Sequence, residues 1–303
     1  MSDHVVKFSF YLYEPNIGAN AAFMVLFGIV SVGHVFFMAR KRTWYFIPFV
    51  IGCLFEAIGY LGRIISANQA PNFTLGPYIV QTLLILLAPA LFAASIYMVL
   101  GRLIRMLQAE KHSLIRINWL TKVFVLGDVL SFLAQSGGGG ILAKAGSKED
   151  QDLGNLIVLA GLGIQVVFFG LFIITTIIFH VRIAKNPTAK SFSVTVPWRM
   201  FIWVLYFSSF LILIRSVFRM VEFGMGYDGL FHQHEAFLFA LDGALMFLTC
   251  ASFLWYHPGR ILVDYKNDRV PSDVESSGYL MIAPGTRQKP DQTTTDDGSN
   301  YQG

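Results

Sequence analysis

Arg215, Arg219 and Glu222 stand at intervals of four and seven residues near the end of the apolar run MFIWVLYFSSFLILIRSVFRMVE. On a helix of 3.6 residues per turn, those intervals keep all three within about 40° of one another. Other apolar segments carry charges too: Glu56 and Arg63, Asp128, and Glu235 and Asp242. A carboxylate among apolar side chains takes a proton or an ammonium group, whereas a guanidinium grips a carboxylate or phosphate through a fork of N–H donors. An unpaired charge at the centre of a bilayer costs at least about 2.5–3.5 kcal/mol, so such residues face a bundle interior or a water-filled cavity and pair with one another.

The elements that must carry these charges are membrane-spanning helices. Of 303 residues, 54% are hydrophobic and only 14% charged, well below the charged share of about 25% usual in soluble proteins. Apolar windows close to the length of a bilayer crossing recur along the chain. They fall at Gly18–Ala39, Trp44–Ile65, Tyr78–Leu100, Trp119–Leu142, Leu156–Val181, Trp198–Val221 and Glu235–Tyr256. No segment alternates as the strands of a membrane barrel do. The expected fold class is all-α: an integral membrane bundle of seven helices.

The N-terminal MSDHVVKFSFYLYEPN lacks the basic start and compact apolar core of a cleavable signal, so it reads as a short leader before a signal-anchor helix. The first, third and fifth connections hold Arg40, Lys41 and Arg42; Arg102, Arg105, Lys111 and Arg116; and Arg182, Lys185, Lys190 and Arg199. The leader and the other connections hold only Lys7, Lys144 and Lys148. This asymmetry predicts an N-terminus outside and a C-terminus in the cytosol. The sequon Asn72-Phe73-Thr74 falls on the side open to glycosylation, which makes Asn72 a glycosylation candidate. Cys53 and Cys250 lie inside spans and are expected as free thiols. Past His257-Pro258-Gly259 the chain turns polar. The expected organisation is a seven-helix domain over residues 1–262 and a disordered cytoplasmic tail over 263–303.

With that orientation, Glu56 is near mid-membrane and Arg63 lies farther out on the same face. Arg215 and Arg219 occupy the outer half of the sixth span, with Glu222 at its mouth. Asp242 is about 10 Å deeper than Glu235 on the seventh. Two compatible readings follow: the charges pair across helices and hold the bundle, or they line a cavity whose carboxylates accept an amine or a proton. Glu56, Asp242, Asp128 and Glu235 are the substrate-binding candidates, Glu56 and Asp242 foremost because they lie deepest. Arg63, Arg215, Arg219 and Glu222 are the charge-pairing residues that position them.

Gln81, Gln135, Gln165 and His34 also lie within spans, where interhelical hydrogen bonding is the plain expectation. Pro89 should free a carbonyl and kink the third span. The glycines at 137–140 either allow close helix contact or let the fourth unwind. His232, His234 and Glu235 are too few and too loosely spaced to predict a metal site. There is no phosphate loop, dinucleotide turn or HExxH motif, so neither a cofactor nor an enzyme activity is expected. The seventh span lacks a lysine for a retinal Schiff base.

A family likeness spans Tyr13 to Gly259. It rests on Tyr13-x-Pro15 and His34; Trp44, Gly52, Glu56, Gly59-Tyr60 and Arg63; and Gln81, Ala88-Pro89 and Tyr97. It continues through Asp128, Gln135 and the glycine run, Gly161 and Gln165, Arg215, Phe218-Arg219 and Glu222, then Glu235, Asp242 and His257-Pro258-Gly259. In these residues the chain resembles the fungal RTA1-like lipid-translocating exporters, linked to resistance to aminocholesterol, azoles and sphingoid long-chain bases. The resemblance implies a multi-pass protein of the fungal plasma membrane that translocates or exports amphiphilic lipids or lipid-like drugs. Its partners would be membrane lipids or amphiphilic small molecules, not nucleic acid. The family supplies no catalytic residues, so the site assignments rest on depth. The rival class is a seven-helix receptor for an amphiphile. The chain has GRLIRML after its third span where receptors carry an acid-Arg-Tyr triplet, and no Asn-Pro-x-x-Tyr in its seventh.

Overall fold

The computed structural model describes residues 16–69, 74–144, 146–194, 197–225 and 235–259. Among them, seven helices are long and apolar enough to cross a membrane. They are α1 (Ile17–Lys41), α2 (Ile47–Ala67), α3 (Leu75–Met106), α4 (Ile117–Lys144), α5 (Lys148–Lys185), α6 (Trp198–Gly224) and α7 (Glu235–Trp255). The described residues contain no strand. Each helix packs on the next in chain order, α7 returns to α1, and α3 also touches α6. The fold is the seven-helix bundle that the apolar windows predict. Asn72, His232, His234, the leader up to residue 15 and the chain beyond residue 259 lie outside the described residues.

The lipid-facing surface is apolar. Val32 on α1, Leu133 on α4, Ile174 on α5 and Phe210 on α6 are all exposed. Inside, the core is strongly aromatic, with Phe27, Phe46, Phe49, Phe92, Phe172 and Phe201 fully buried. The basic connections gather at the end where α1, α3 and α5 finish, and Arg102 there lies over the Tyr45 ring at 3.8 Å. His257, just past α7, accepts the Gly259 N–H through Nδ1 at 3.1 Å. Burial, with His34 and Lys41 nearby, pushes its imidazole down to about 4.

Two helices are longer than their apolar cores. The polar stretch GSKEDQDLGN reads as the loop between the fourth and fifth spans, yet α5 already begins at Lys148. Ser147 caps it, its hydroxyl accepting the Asp150 N–H at 3.1 Å. Glu149 and Asp150 then sit in the first turn, where the helix dipole favours negative charge. Hydropathy marks where lipid starts; capping chemistry marks where the helix starts. At its other end α3 runs on to Met106.

The glycine run at 137–140 stays helical instead of unwinding. Its use is contact: a Cβ on Gly138 would meet the Gly154 carbonyl and the Val158 side chain at 2.8 Å each. With α4 and α5 this close, Ser131 Oγ donates to the Gly161 carbonyl at 2.7 Å. Gln135 Nε2 donates to Ser131 Oγ at 2.5 Å and to Gln165 Oε1 at 3.1 Å. His34 Nε2 lies 3.0 Å from the Cys250 carbonyl. Bonds of this kind contribute about 0.6 kcal/mol each in a membrane, so van der Waals contact along the small-residue seam carries most of the α4–α5 packing. Gly138→Leu should therefore overpack the seam at a cost of about 1–3 kcal/mol and lower the thermal unfolding midpoint of the detergent-solubilised protein. Gly139→Leu, with nothing within 4 Å of its Cβ position, should leave that midpoint near wild type.

Candidate functional site

Arg215 and Asp242 are each about 1% exposed, deep between α6 and α7. Arg215 Nε donates to Asp242 Oδ1, and Arg219 Nη2, one turn on, donates to Asp242 Oδ2. Arg219 Nη1 also donates to Glu222 Oε2 at 3.1 Å. The four- and seven-residue spacing on α6 thus aligns two guanidiniums on a single carboxylate of α7. Local geometry of α7 helps: Phe239–Gly243 forms one π-helical stretch, and Asp242 sits within it. Such widened turns re-aim side chains within an otherwise regular helix and recur at functional sites.

Arg215 reaches a third helix as well. Its Nη2 donates to the Ile85 carbonyl of α3 at 3.0 Å. That carbonyl is four residues before Pro89, whose ring nitrogen has no hydrogen to return to it. The helix continues through Pro89, and the guanidinium supplies the missing donor. A carbonyl freed by proline and an arginine needing acceptors satisfy each other.

Nearer the end where α1 begins, Arg63 of α2 pairs with Glu235 of α7 at 3.1 Å. Glu235 Oε2 also accepts the Asn16 N–H at 2.7 Å, and its Oε1 accepts from Asn20 Nδ2 at 3.3 Å. One carboxylate therefore ties α1, α2 and α7 together.

Glu56 differs from every other acid of this cluster. Arg63, Arg215 and Arg219 are matched by Glu235, Asp242 and Glu222. Glu56, about 1% exposed, is a fourth acid with no ion pair among the described residues. Neither of its oxygens has a hydrogen-bond partner there, although Asp242, Arg215 and Arg219 are close enough to act on it electrostatically.

Tyr60, one turn along α2, has a buried hydroxyl that is likewise unpartnered. Its ring stacks on Phe23 of α1 at 5.3 Å, and Phe23 stacks on Phe239 of α7 at 5.3 Å. Gly243 makes room for this group, since a Cβ there would run into the Tyr60 hydroxyl and meet the Phe23 ring at 2.9 Å. One turn the other way lie the free thiols of Cys53 and Cys250, their sulfurs 3.4 Å apart. An ionised carboxylate so enclosed needs a proton or a cation to offset its desolvation. Aromatic faces beside it favour an organic ammonium.

Of the residues singled out in the sequence, the structure gathers Glu56, Arg63, Arg215, Arg219, Glu222, Glu235 and Asp242 where α2, α6 and α7 meet. Asp128 stands apart on α4. Tyr97 of α3 is close enough to act on it electrostatically, and Tyr97 packs on Phe124 and Phe172 at 5.3 and 4.5 Å. No described arginine pairs with Asp128. Phe23, Tyr60 and Phe239 escape a reading that looks for charge. Only the four-residue interval from Glu56 to Tyr60 hints at a shared face. Among the described residues, no three His, Cys, Asp or Glu side chains converge as metal ligands.

Residues 49–264, which hold this cluster, match the family described as RTA1 like protein. Protein RTA1 of Saccharomyces cerevisiae is 37% identical over 276 residues, covering 83% of this chain and 85% of its own. Protoporphyrin uptake protein 1 of the same yeast is 36% identical over 281 residues, covering 81% and 91%. Its sphingoid long-chain base transporter RSB1 is 23% identical over 280 residues, covering 81% and 72%. No solved structure matches the chain. A match over most of the bundle, with relatives aligned along most of their lengths, places this chain in the RTA1-like family.

Proposed function

We propose that this protein translocates or exports amphiphilic lipids that carry an amine, sphingoid long-chain bases foremost, and that Glu56 is the carboxylate that receives the amine. The observation that carries the reading is the charge balance among the described residues: Arg63, Arg215 and Arg219 pair with Glu235, Asp242 and Glu222, and Glu56 is left with both oxygens unpartnered there. A long-chain base brings what the site lacks. Its ammonium balances Glu56 and lies against the Tyr60 and Phe23 rings, its hydroxyls meet the Tyr60 hydroxyl, and its tail stays among apolar side chains. A relative named as a sphingoid long-chain base transporter supports the same class of cargo.

In this reading Asp242 is a positioning residue and not a second amine acceptor, since it holds Arg215 and Arg219, and Arg215 in turn holds the Ile85 carbonyl of α3. The basic end of the bundle faces the cytosol, as the charge asymmetry of the connections argues. The headgroup site then lies towards the outside of the plasma membrane, behind the Arg63–Glu235 pair. Removal of long-chain bases or similar drugs from the cell confers resistance to them. In the same orientation residues 263–303 are on the cytosolic side.

Purified protein in liposomes tests this. Wild type should move a fluorescent sphingoid base between leaflets, and Glu56→Gln should lower that rate at least tenfold while its thermal unfolding midpoint stays near wild type. A receptor for the same amphiphile would move none, and Glu56→Gln at the wild-type rate would overturn the role of Glu56. Asp242→Asn should fail differently. It leaves buried Arg215 without its counter-ion and Arg219 with Glu222 alone, a loss of about 3–5 kcal/mol, read as a lowered unfolding midpoint and reduced yield of folded protein.

A further inference from the structure

The second buried acid, Asp128, has no place in the headgroup site. Its depth can be read along α3. Position 52 of α2 packs against Ala88 and Phe92, and position 59 against Ile85, so Glu56 is level with the Ile85–Ala88 turn. Tyr97, which is close to Asp128, lies about ten residues farther along α3, or roughly 15 Å at 1.5 Å per residue, towards the basic end. Asp128 is about 3% exposed, and neither its carboxylate oxygens nor the Tyr97 hydroxyl has a hydrogen-bond partner among the described residues.

No charged group turns towards it from the helices packed around it. On its own helix, Lys122 is exposed and lies over the Trp119 ring at 5.6 Å. On α3, Arg102 lies over Tyr45 and Arg105 donates to Asn118 at 2.9 Å. On α5, Phe168 packs at position 127, Phe172 packs on Phe124, and His180 faces Tyr206 of α6 at 3.2 Å. Tyr97 is the titratable group close enough to act on Asp128. An acid so enclosed by rings and a hydroxyl, with no ion pair among the described residues, fits one small ligand. That ligand is a proton.

We infer that Asp128, partnered by Tyr97, is a proton-binding site that couples lipid movement to a transmembrane proton gradient. The inference of coupling rests on the transport reading above; the proton site does not. The carboxylate takes one proton from water, holds it as the neutral acid hydrogen-bonded to the Tyr97 hydroxyl, and gives the same proton back to water on the opposite side. Nothing is oxidised or reduced. α3 is common to both sites: it carries Tyr97 at one level and, at the other, the Ile85 carbonyl that Arg215 grips. A change in charge at Asp128 therefore acts on the helix against which the headgroup site is built.

Two measurements on the purified full-length protein decide this. In pH-difference infrared spectra of the protein in lipid, all recorded in a Glu56→Gln background so that Glu56 adds no band of its own, a carboxylic C=O band should be present, absent with Asp128→Asn, and shifted in frequency with Tyr97→Phe. The Tyr97→Phe spectrum keeps the test decisive should Asp128→Asn fold poorly. In liposomes, movement of a fluorescent sphingoid base by wild type should change at least threefold when a pH gradient is imposed. Asp128→Asn should move the base at one rate with or without the gradient. A band that survives in Asp128→Asn, or is indifferent to Tyr97→Phe, would overturn the proton site. An undiminished gradient response in Asp128→Asn, or none in wild type, would overturn the coupling. If the band behaves as expected but no variant moves lipid, the transport reading and the coupling fail and the proton site stands.

Discussion

The Asp242 carboxylate held by two guanidiniums is the constraint on which the bundle turns. In an interior where a lone charge is costly, ions must be matched in place, and a matched set then fixes whatever carries it. Arg215 and Arg219 bring α6 to α7 through Asp242, and Arg215 brings α3 to both through the Ile85 carbonyl. The last contact exists because Pro89 cannot complete its own helix. A feature that weakens an isolated helix here supplies an acceptor for a neighbouring one. The π-helical stretch of α7 is the matching adjustment on the other side.

Once those charges are satisfied, the rest of the arrangement follows from what is left. The arginines of the cluster are used, so Glu56 has aromatic rings, a tyrosine hydroxyl and thiols around it in place of a counter-ion. Glu235 closes the end of the bundle by holding Arg63 and the start of α1. The α4–α5 side is built on another principle, with glycines in close contact and neutral hydrogen bonds among Ser131, Gln135 and Gln165. Asp128 sits beside that neutral half. The bundle therefore keeps two buried carboxylates without ion pairs among the described residues, Glu56 and Asp128, at two depths and in two environments.

Much of this was legible in the sequence, and the limits have physical causes. Seven apolar windows predict seven helices because the bilayer sets their length. The spacing of Arg215 and Arg219 shows that they share a face, since helical periodicity is local. Which acid they meet is not local. Asp242 and Glu56 are both deep carboxylates of like chemistry, and only packing separates the clamped acid from the free one. Asp128 looks equivalent to them for the same reason, because depth says nothing about which side of the bundle a residue faces. The early start of α5 is hidden by a polar turn that hydropathy reads as loop, although Ser147 followed by Glu149 and Asp150 is a helix-start pattern. Pro89 shows that a carbonyl is free but not that Arg215 comes to it, and no sequence signal announces the π-helical stretch.

On the proposed reading, Glu56 is an uncompensated carboxylate awaiting an amine. Equilibrium binding to the purified protein in lipid nanodiscs tests it most directly, comparing a sphingoid base with its N-acetyl derivative, which keeps the tail and hydroxyls but has no charge. Wild type should bind the free amine at least tenfold more tightly, a difference of about 1.4 kcal/mol, and Glu56→Gln should abolish that preference. Equal binding of the two lipids by wild type, or a preference that survives in Glu56→Gln, would contradict the account.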